Sequence, residues 1–245
     1  MATGETRGGG ASLARTSGVA LVDLASVAAF ALLWVALATR LARSFEPALL
    51  AVATALAVPL GVVFADLASG VVHWLADTCF APETPWIGRL VIAPFREHHR
   101  DPQAIVRHGF LEVTGNNALV CVPGLAALLA WPLDERPELP RALVEALALA
   151  TAAAVGATNH LHRWAHAAAA PRAIAWLQRC GLALSPARHA AHHRTFDRAY
   201  CVTTGWLNPL LDASRLFPAL ERALRRERAA DQSRMRPARA RRGPQ

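Results

Sequence analysis

The chain has 245 residues, of which 53% are hydrophobic, and its mean hydropathy is positive. This apolar content is high for a water-soluble domain of the same length and disfavours a purely soluble protein. The formal net charge is +8, and all 26 Lys and Arg residues are arginines, whose excess lies beside apolar segments and in the C-terminal tail. That placement favours anionic lipid surfaces over nucleic acid, so no nucleic-acid partner is predicted.

The N-terminal half predicts a tail followed by two membrane helices. Residues 1–17 are polar and glycine-rich, and we expect them to form a disordered tail. Residues 18–39 are apolar except for Asp23 and are long enough to cross a bilayer, which favours a retained helix over a signal peptide. A second apolar run covers residues 47–65 and continues to Trp74, with polar residues entering one side.

Two further apolar runs, residues 118–133 and 142–158, complete four predicted crossings. Four crossings place both termini and the loop 81–116 on one side of the membrane. That loop carries four arginines and the region after residue 159 carries sixteen, so the positive-inside rule assigns this side to the cytoplasm. We therefore expect an all-α integral membrane bundle of about four transmembrane helices with a cytoplasmic histidine-rich helical cap.

The arginine- and alanine-rich composition is typical of a bacterial protein, which would lie in the inner membrane. A single membrane domain is expected over residues 18–221. Residues 222–245 are rich in arginine and lack apolar periodicity. We expect a solvated disordered tail there, with binding to anionic lipid headgroups as the alternative.

The histidines are concentrated in short clusters, nearly all on that predicted side. Residues three and four apart share a helix face, so His162 and His166 would aim their rings at one point, as would the later His-x-x-His-His triplet. Imidazole is a favoured ligand of iron, copper and zinc. The histidines are too many for one structural zinc, and few carboxylates accompany them. The pattern therefore favours an all-histidine centre of two iron ions, although each cluster alone also occurs by chance.

Several segments in a fixed order resemble the plasmanylethanolamine desaturase family, also called Kua or CarF-type lipid desaturases. The plant plastid phosphatidylglycerol desaturases are relatives within that group. The resemblance covers roughly residues 60–215. The segments that carry it are Asp66-Leu-Ala-Ser-Gly-Val-Val-His73-Trp74-x-x-Asp77-Thr78, Pro94-Phe-Arg-Glu-His98-His99-x-Asp-Pro, Arg107-His108-x-Phe, Thr158-Asn-x-x-His162-x-Trp-x-His166, His189-x-x-His192-His193 and Cys201-Val-Thr-Thr-Gly-Trp206-Leu-Asn208.

The resemblance implies an oxidoreductase that converts a 1-O-alkyl ether phospholipid (plasmanylethanolamine) into the vinyl ether plasmalogen. It implies two iron ions (Fe2+/Fe3+), O2 as co-substrate and membrane lipids as partners. The sequence carries no FAD, haem or iron–sulfur motif, so electrons must come from an external electron-transfer protein of the cytochrome b5 or ferredoxin kind. The metal ligands implied by the family pattern are His73, His98, His99, His108, His162, His166, His189, His192 and His193.

Other residues receive different roles from the same comparison. His160 is expected to lie outside the metal site. Asp66 and Asp77 are expected to orient ligand imidazoles through their N–H groups, and Asn159 to do the same or act as a weak, water-mediated ligand. Gly109 and Asn116 stand where well-known members carry acidic residues, which leaves the substrate open.

Two alternatives therefore stay open at this point. The first is a fatty-acyl desaturase or a hydroxylase that acts on a phospholipid-esterified chain, since the same oxidant serves all of these reactions. The second is a non-catalytic membrane metal-binding signalling protein, which would keep the ligands but need no open coordination position.

Overall fold

A computed structural model describes residues 17–132 and 137–235, and every regular element within those ranges is helical. The predicted all-α architecture is confirmed. A short π-helical segment, Gly88–Ile92, leads directly into the third α-helix. The α-helices are α1 Ser17–Ser44, α2 Pro47–Thr78, α3 Ala93–Arg100, α4 Ala104–Arg107, α5 Phe110–Ala130, α6 Glu138–His166, α7 Arg172–Arg179, α8 Pro186–Thr195, α9 Asn208–Ser214 and α10 Leu216–Met235.

Four of these helices, α1, α2, α5 and α6, are long and apolar enough to cross a membrane, as predicted. Each is longer than the apolar run that predicted it, because polar residues at the edges of the run find ion-pair or hydrogen-bond partners inside the bundle. Arg40 pairs with the buried Glu145 at 3.2 Å. The same guanidinium donates to the carbonyls of Leu128 and Leu129 in the last turn of α5, where carbonyls lack partners within the helix.

The four long helices pack in a fixed set of pairs: α2 against α6, α1 against α5, and α5 against α6. Gly61 lets α2 approach α6 closely, since a Cβ at this position would lie 2.7 Å from the Cβ of Ala150. Small residues at such crossings are the usual means of helix association in lipid. The buried core between the helices consists of Leu37, Leu41, Phe45, Ala53, Ala57, Leu125, Ala142, Ala146, Leu149 and Ala152.

One end of the bundle collects the polar chemistry. Since consecutive long helices run in opposite directions, α2 and α6 finish at the same end, where α1 and α5 begin. The short helices gather there, with α3 against α2 and with α4 and α8 against α6. We call this end the histidine end, because it carries the clusters singled out in the sequence. Its assignment to the cytoplasm stays a prediction.

The two predicted tails fall only partly within the described residues. Residues 1–16 and 236–245 are not described, so the expected disorder there is not addressed. Residues 222–235, which were also assigned to the C-terminal tail, form part of α10.

Candidate metal centre

Five histidines from three helices form the first group of potential metal ligands. His98 comes from α3, and α6 and α8 each supply a pair spaced by four residues. Each residue offers one ring nitrogen, and these atoms lie within 4.8 Å of one another. The Nε2 atom of His189 is the most crowded, at 2.8 Å from His166 Nε2 and 2.9 Å from both His162 and His193 Nε2. The full group is His98, His162, His166, His189 and His193.

A second group adjoins the first and includes a carboxylate. His73 and Asp77, four residues apart at the end of α2, meet His99 and His192. The Nε2 atom of His99 lies 3.2 Å from the Nε2 atoms of both His73 and His192. The Asp77 carboxylate lies 3.4 Å from a ring nitrogen of His73 and 3.4 Å from one of His99. Asp77, expected only to orient ligands, therefore stands where it can bind a metal itself.

The donor atoms of both groups fit cations. An imidazole nitrogen carries at most one hydrogen, so the three close neighbours of His189 Nε2 cannot all be explained by hydrogen bonds. Two imidazoles bound to one ion at about 2.1 Å would place their nitrogens about 3.0–3.4 Å apart, close to the observed spacings. In addition, His98 Nε2 and both Asp77 oxygens are buried without a hydrogen-bond partner. Imidazole with carboxylate and without thiolate suits iron.

Backbone carbonyls orient two of these rings. His73 Nδ1 donates to the carbonyl of Tyr200 at 3.1 Å, and His192 Nδ1 donates to the carbonyl of Arg198 at 2.8 Å. Because the carbonyl oxygens only accept, each Nδ1 carries the hydrogen and each Nε2 presents its lone pair to the second group. Sequence reasoning missed these orienting groups, since a main-chain acceptor carries no residue-type signal.

Asp66 acts one step further from the ligands than expected. Its carboxylate, fully buried, accepts hydrogen bonds from the amides of Thr204, Gly205 and Leu207 at 2.8, 2.9 and 3.0 Å. These amides follow closely on Tyr200, whose carbonyl holds His73. Asp66 thus anchors the segment that supplies the orienting carbonyl, whereas the sequence predicted a direct contact with an imidazole.

The histidines of α3 and α8 at the histidine end have a protonation state that suits metal binding. Burial, followed by the neighbouring imidazoles, lowers the pKa of His98 and His189 well below the usual value. The same causes lower the pKa of His99 to about 3. Burial also lowers the pKa of His192, to about 4. These rings are therefore neutral near pH 7, and only a neutral imidazole has a lone pair to give to a metal.

His108 and His160 lie outside both groups. His108 is the extended residue between α4 and α5, and its ring nitrogens lie 3.7 Å from Glu97 and 3.6 Å from Glu112. The predicted ligand role of His108 therefore lacks the proximity that the other eight histidines have. The Nε2 atom of His160 lies 3.0 Å from the Thr114 hydroxyl, where it links α6 to α5.

A cavity between α3, α4, α5 and α6 opens beside the first group. Asn159 forms part of its wall and donates to the carbonyl of Val113 at 3.2 Å, so its side chain bridges α6 and α5. The cavity combines apolar walls with polar groups, as small-molecule sites do. Its lining residues are Pro94, Phe95, His98, Ile105, His108, Glu112, Val113, Asn116, Asn159 and His162.

Comparison with known proteins places these features in a family context. A family profile described as "Lipid desaturase domain" matches residues 62–234. The chain is 41% identical over 170 residues to a plasmanylethanolamine desaturase of Myxococcus xanthus, covering 69% of this chain and 59% of the relative. It is 36% identical over 170 residues to plasmanylethanolamine desaturase 1 of Mus musculus, with 68% and 63% covered.

A plant relative is also similar, namely the chloroplastic fatty acid desaturase 4 of Arabidopsis thaliana. The identity is 34% over 170 residues, covering 68% of this chain and 50% of the relative. The chain thus spans between half and two thirds of the length of these relatives. No solved structure gives a significant match.

Proposed function

The chain belongs to the lipid desaturase family, and from that premise we propose that it is an oxygen-dependent membrane enzyme using two iron ions. Its proposed reaction converts a 1-O-alkyl ether phospholipid, plasmanylethanolamine, into the vinyl ether plasmalogen. The observation that carries this proposal is the pair of adjoining donor groups, at the end of four apolar helices and beside a cavity. The choice of an ether lipid is supported by the names of the bacterial and mouse relatives.

The five-histidine group would hold one iron, and the group containing Asp77 would hold the other. When bound, the two irons would supply the activation of O2 that is needed to break unactivated C–H bonds. The protein's own task is to hold the imidazoles neutral and correctly turned. The Tyr200 and Arg198 carbonyls do this for His73 and His192 by fixing which ring nitrogen carries the hydrogen.

The cavity is the proposed substrate position. It reaches His98 and His162 of the five-histidine group, so a chain lying in it approaches that group rather than the one containing Asp77. Phe95 and Val113 offer an apolar wall for an alkyl chain. Glu112 supplies a carboxylate in the same cavity for the polar part of a phospholipid.

The cellular setting belongs to the same proposal. The arginine distribution favours a bacterial inner-membrane protein with the histidine end and both termini in the cytoplasm. The catalytic domain would cover residues 18–221. The reaction consumes electrons, so an external electron-transfer protein is required.

An acyl-lipid desaturase is the second candidate, because the plant relative is named a fatty acid desaturase. The two activities differ in which carbons reach the same centre. Both would require the same donor groups. A metal-binding signalling protein would need no substrate cavity beside its ligands.

One lipid analysis distinguishes these candidates. The protein is expressed in a bacterium that lacks plasmalogens, alkylglycerol is fed, and the lipids are examined by mass spectrometry. We expect acid-labile vinyl ethers with the wild type and none with His192→Ala. A new acyl double bond without vinyl ether would identify the second candidate. The absence of both products, despite bound iron and available reductant, would refute a desaturase function.

A further inference from the structure

Phe196 is an exposed aromatic residue whose ring reaches both donor groups. It directly follows α8, and 43% of its surface is exposed. Its ring centroid lies 5.0 Å from that of His99, and 5.8 Å from those of His192 and His193. His99 and His192 belong to the group containing Asp77, whereas His193 belongs to the five-histidine group. The Phe196 ring is thus exposed to solvent on one side and contacts histidines of both donor groups on the other.

The backbone at Phe196 has an unfavourable conformation. Phe196 has a φ of 57°, in the left-handed region that bulky residues rarely adopt. Ala199, three residues later, also has a φ of 57°. Phe196 ends α8 in this conformation, and its amide donates to the His192 carbonyl, so the helix end fixes the position of the ring beside the histidines.

The residues next to Phe196 in the sequence carry a net positive charge. Arg194 and Arg198 flank it in the sequence, and Arg100 follows the histidine that its ring contacts. All three arginines are exposed, and Asp197 is the acidic residue in the same turn. We call Phe196 with these three arginines the Phe196 surface. An apolar centre with a charged rim is the usual construction of a protein-docking site.

We propose that the Phe196 surface docks a small acidic protein that carries one electron at a time. The inference rests on the proposed function, because desaturation creates the need for that protein. Forming –CH=CH– from –CH2–CH2– releases two electrons and two protons, while reducing O2 to two waters takes four of each. The remaining two electrons come from two successive carriers, each leaving oxidised, and the remaining two protons come from solvent.

The composition of the turn favours a protein over the lipid surface. Phe196 is the only apolar side chain among residues 194–198, and its neighbours are charged or polar. A membrane-inserted turn would carry more apolar surface. The cavity, by contrast, is lined by His98 and His162, so lipid and electrons would reach the centre through different residues.

The test uses the full-length protein in neutral phosphatidylcholine nanodiscs, first without metal. Two acidic probes are titrated, a [2Fe–2S] ferredoxin and the haem domain of cytochrome b5, and affinity is measured at low and high salt. We expect the double charge reversal Arg194→Glu with Arg198→Glu to weaken binding about tenfold or more, and to reduce the salt dependence. Phe196→Ala should weaken binding at both salt concentrations. Arg179→Glu, an exposed arginine on α7, is the matched control and should bind like the wild type.

Activity then separates this inference from the proposed function. In iron-loaded protein, turnover driven by the reduced carrier is compared with turnover driven by dithionite. The ratio should fall in the double variant. Failure of wild-type turnover with dithionite would count against the proposed function itself. Two outcomes would overturn the docking inference alone. The first is that neither probe binds the wild type. The second is that the variants keep the wild-type affinity for the carrier but differ from the wild type in their association with phosphatidylglycerol membranes.

Discussion

Replacing Asp66 with asparagine should destabilise the histidine end from a position that contacts no proposed ligand. In the wild type, one carboxylate oxygen accepts from the amides of Thr204 and Gly205, and the other accepts from Leu207. Asparagine keeps one oxygen, so two bonds survive in a weaker, uncharged form. Its NH2 group then faces the third amide, and two donors cannot pair.

The expected cost follows from these three bonds. A hydrogen bond to a charged group contributes about 1.5–3 kcal/mol against about 1 kcal/mol for a neutral one, and an unpaired buried donor costs about 1–3 kcal/mol. Two bonds that each weaken by about 0.5–2 kcal/mol and one donor left unpaired at about 1–3 kcal/mol together cost about 2–7 kcal/mol. For a chain of this size that corresponds to a fall in Tm of at least about 4 °C. We also expect a lower iron content, since the anchored segment includes the carbonyl that orients His73.

The assay is thermal unfolding of the purified protein in detergent, together with iron analysis. Asp212→Asn is the matched control. It makes the same change at a half-buried carboxylate that accepts one amide, that of Ala199 at 3.1 Å. That single bond survives in asparagine, so Tm should move little. A Tm for Asp66→Asn within about 2 °C of wild type would show that the three amides do not depend on the carboxylate.

Three further results are expected. His192→Ala should lose most of the bound iron and all of the product, whereas His160→Ala should keep most of both; equal behaviour in iron analysis would refute the ligand assignment. The metal-free protein should lose thermal stability as the pH falls from about 6.5 to 4. The reason is that unfolded histidines gain protons in that range while buried His99 and His192, with pKa values of about 3 and about 4, stay mostly neutral until the pH approaches 4; a flat profile would contradict this. Gly61→Leu should lower the Tm or the folded yield, because its Cβ would meet Ala150 at 2.7 Å; an unchanged Tm would show that α2 and α6 can separate at no cost.

The membrane helices and the clustering of the histidines could be predicted from the sequence. Long apolar runs predict membrane helices because a bilayer requires a minimum length. The spacing of His162 and His166 predicts a shared face because an α-helix repeats every 3.6 residues. Both signals are local, so neither needs knowledge of the fold.

The partners of Asp66 were not readable, because its three amides lie more than 130 residues away along the chain. The division of adjacent histidines between the two groups was also hidden. His98 joins one group and His99 the other, and only the packing of α3 against its neighbours decides which ring points where. Similarly, no periodic pattern indicated that residues 222–235 continue α10.

The scattered origin of the donor atoms bears on how the protein is made. The five-histidine group draws on α3, α6 and α8, and the group containing Asp77 draws on α2, α3 and α8. Neither can assemble until the ribosome has released α8 and the preceding membrane helices have inserted. Metal retention would therefore report complete biogenesis, because a chain truncated before α8, or one in which a membrane helix fails to insert, would lack a complete set of donors.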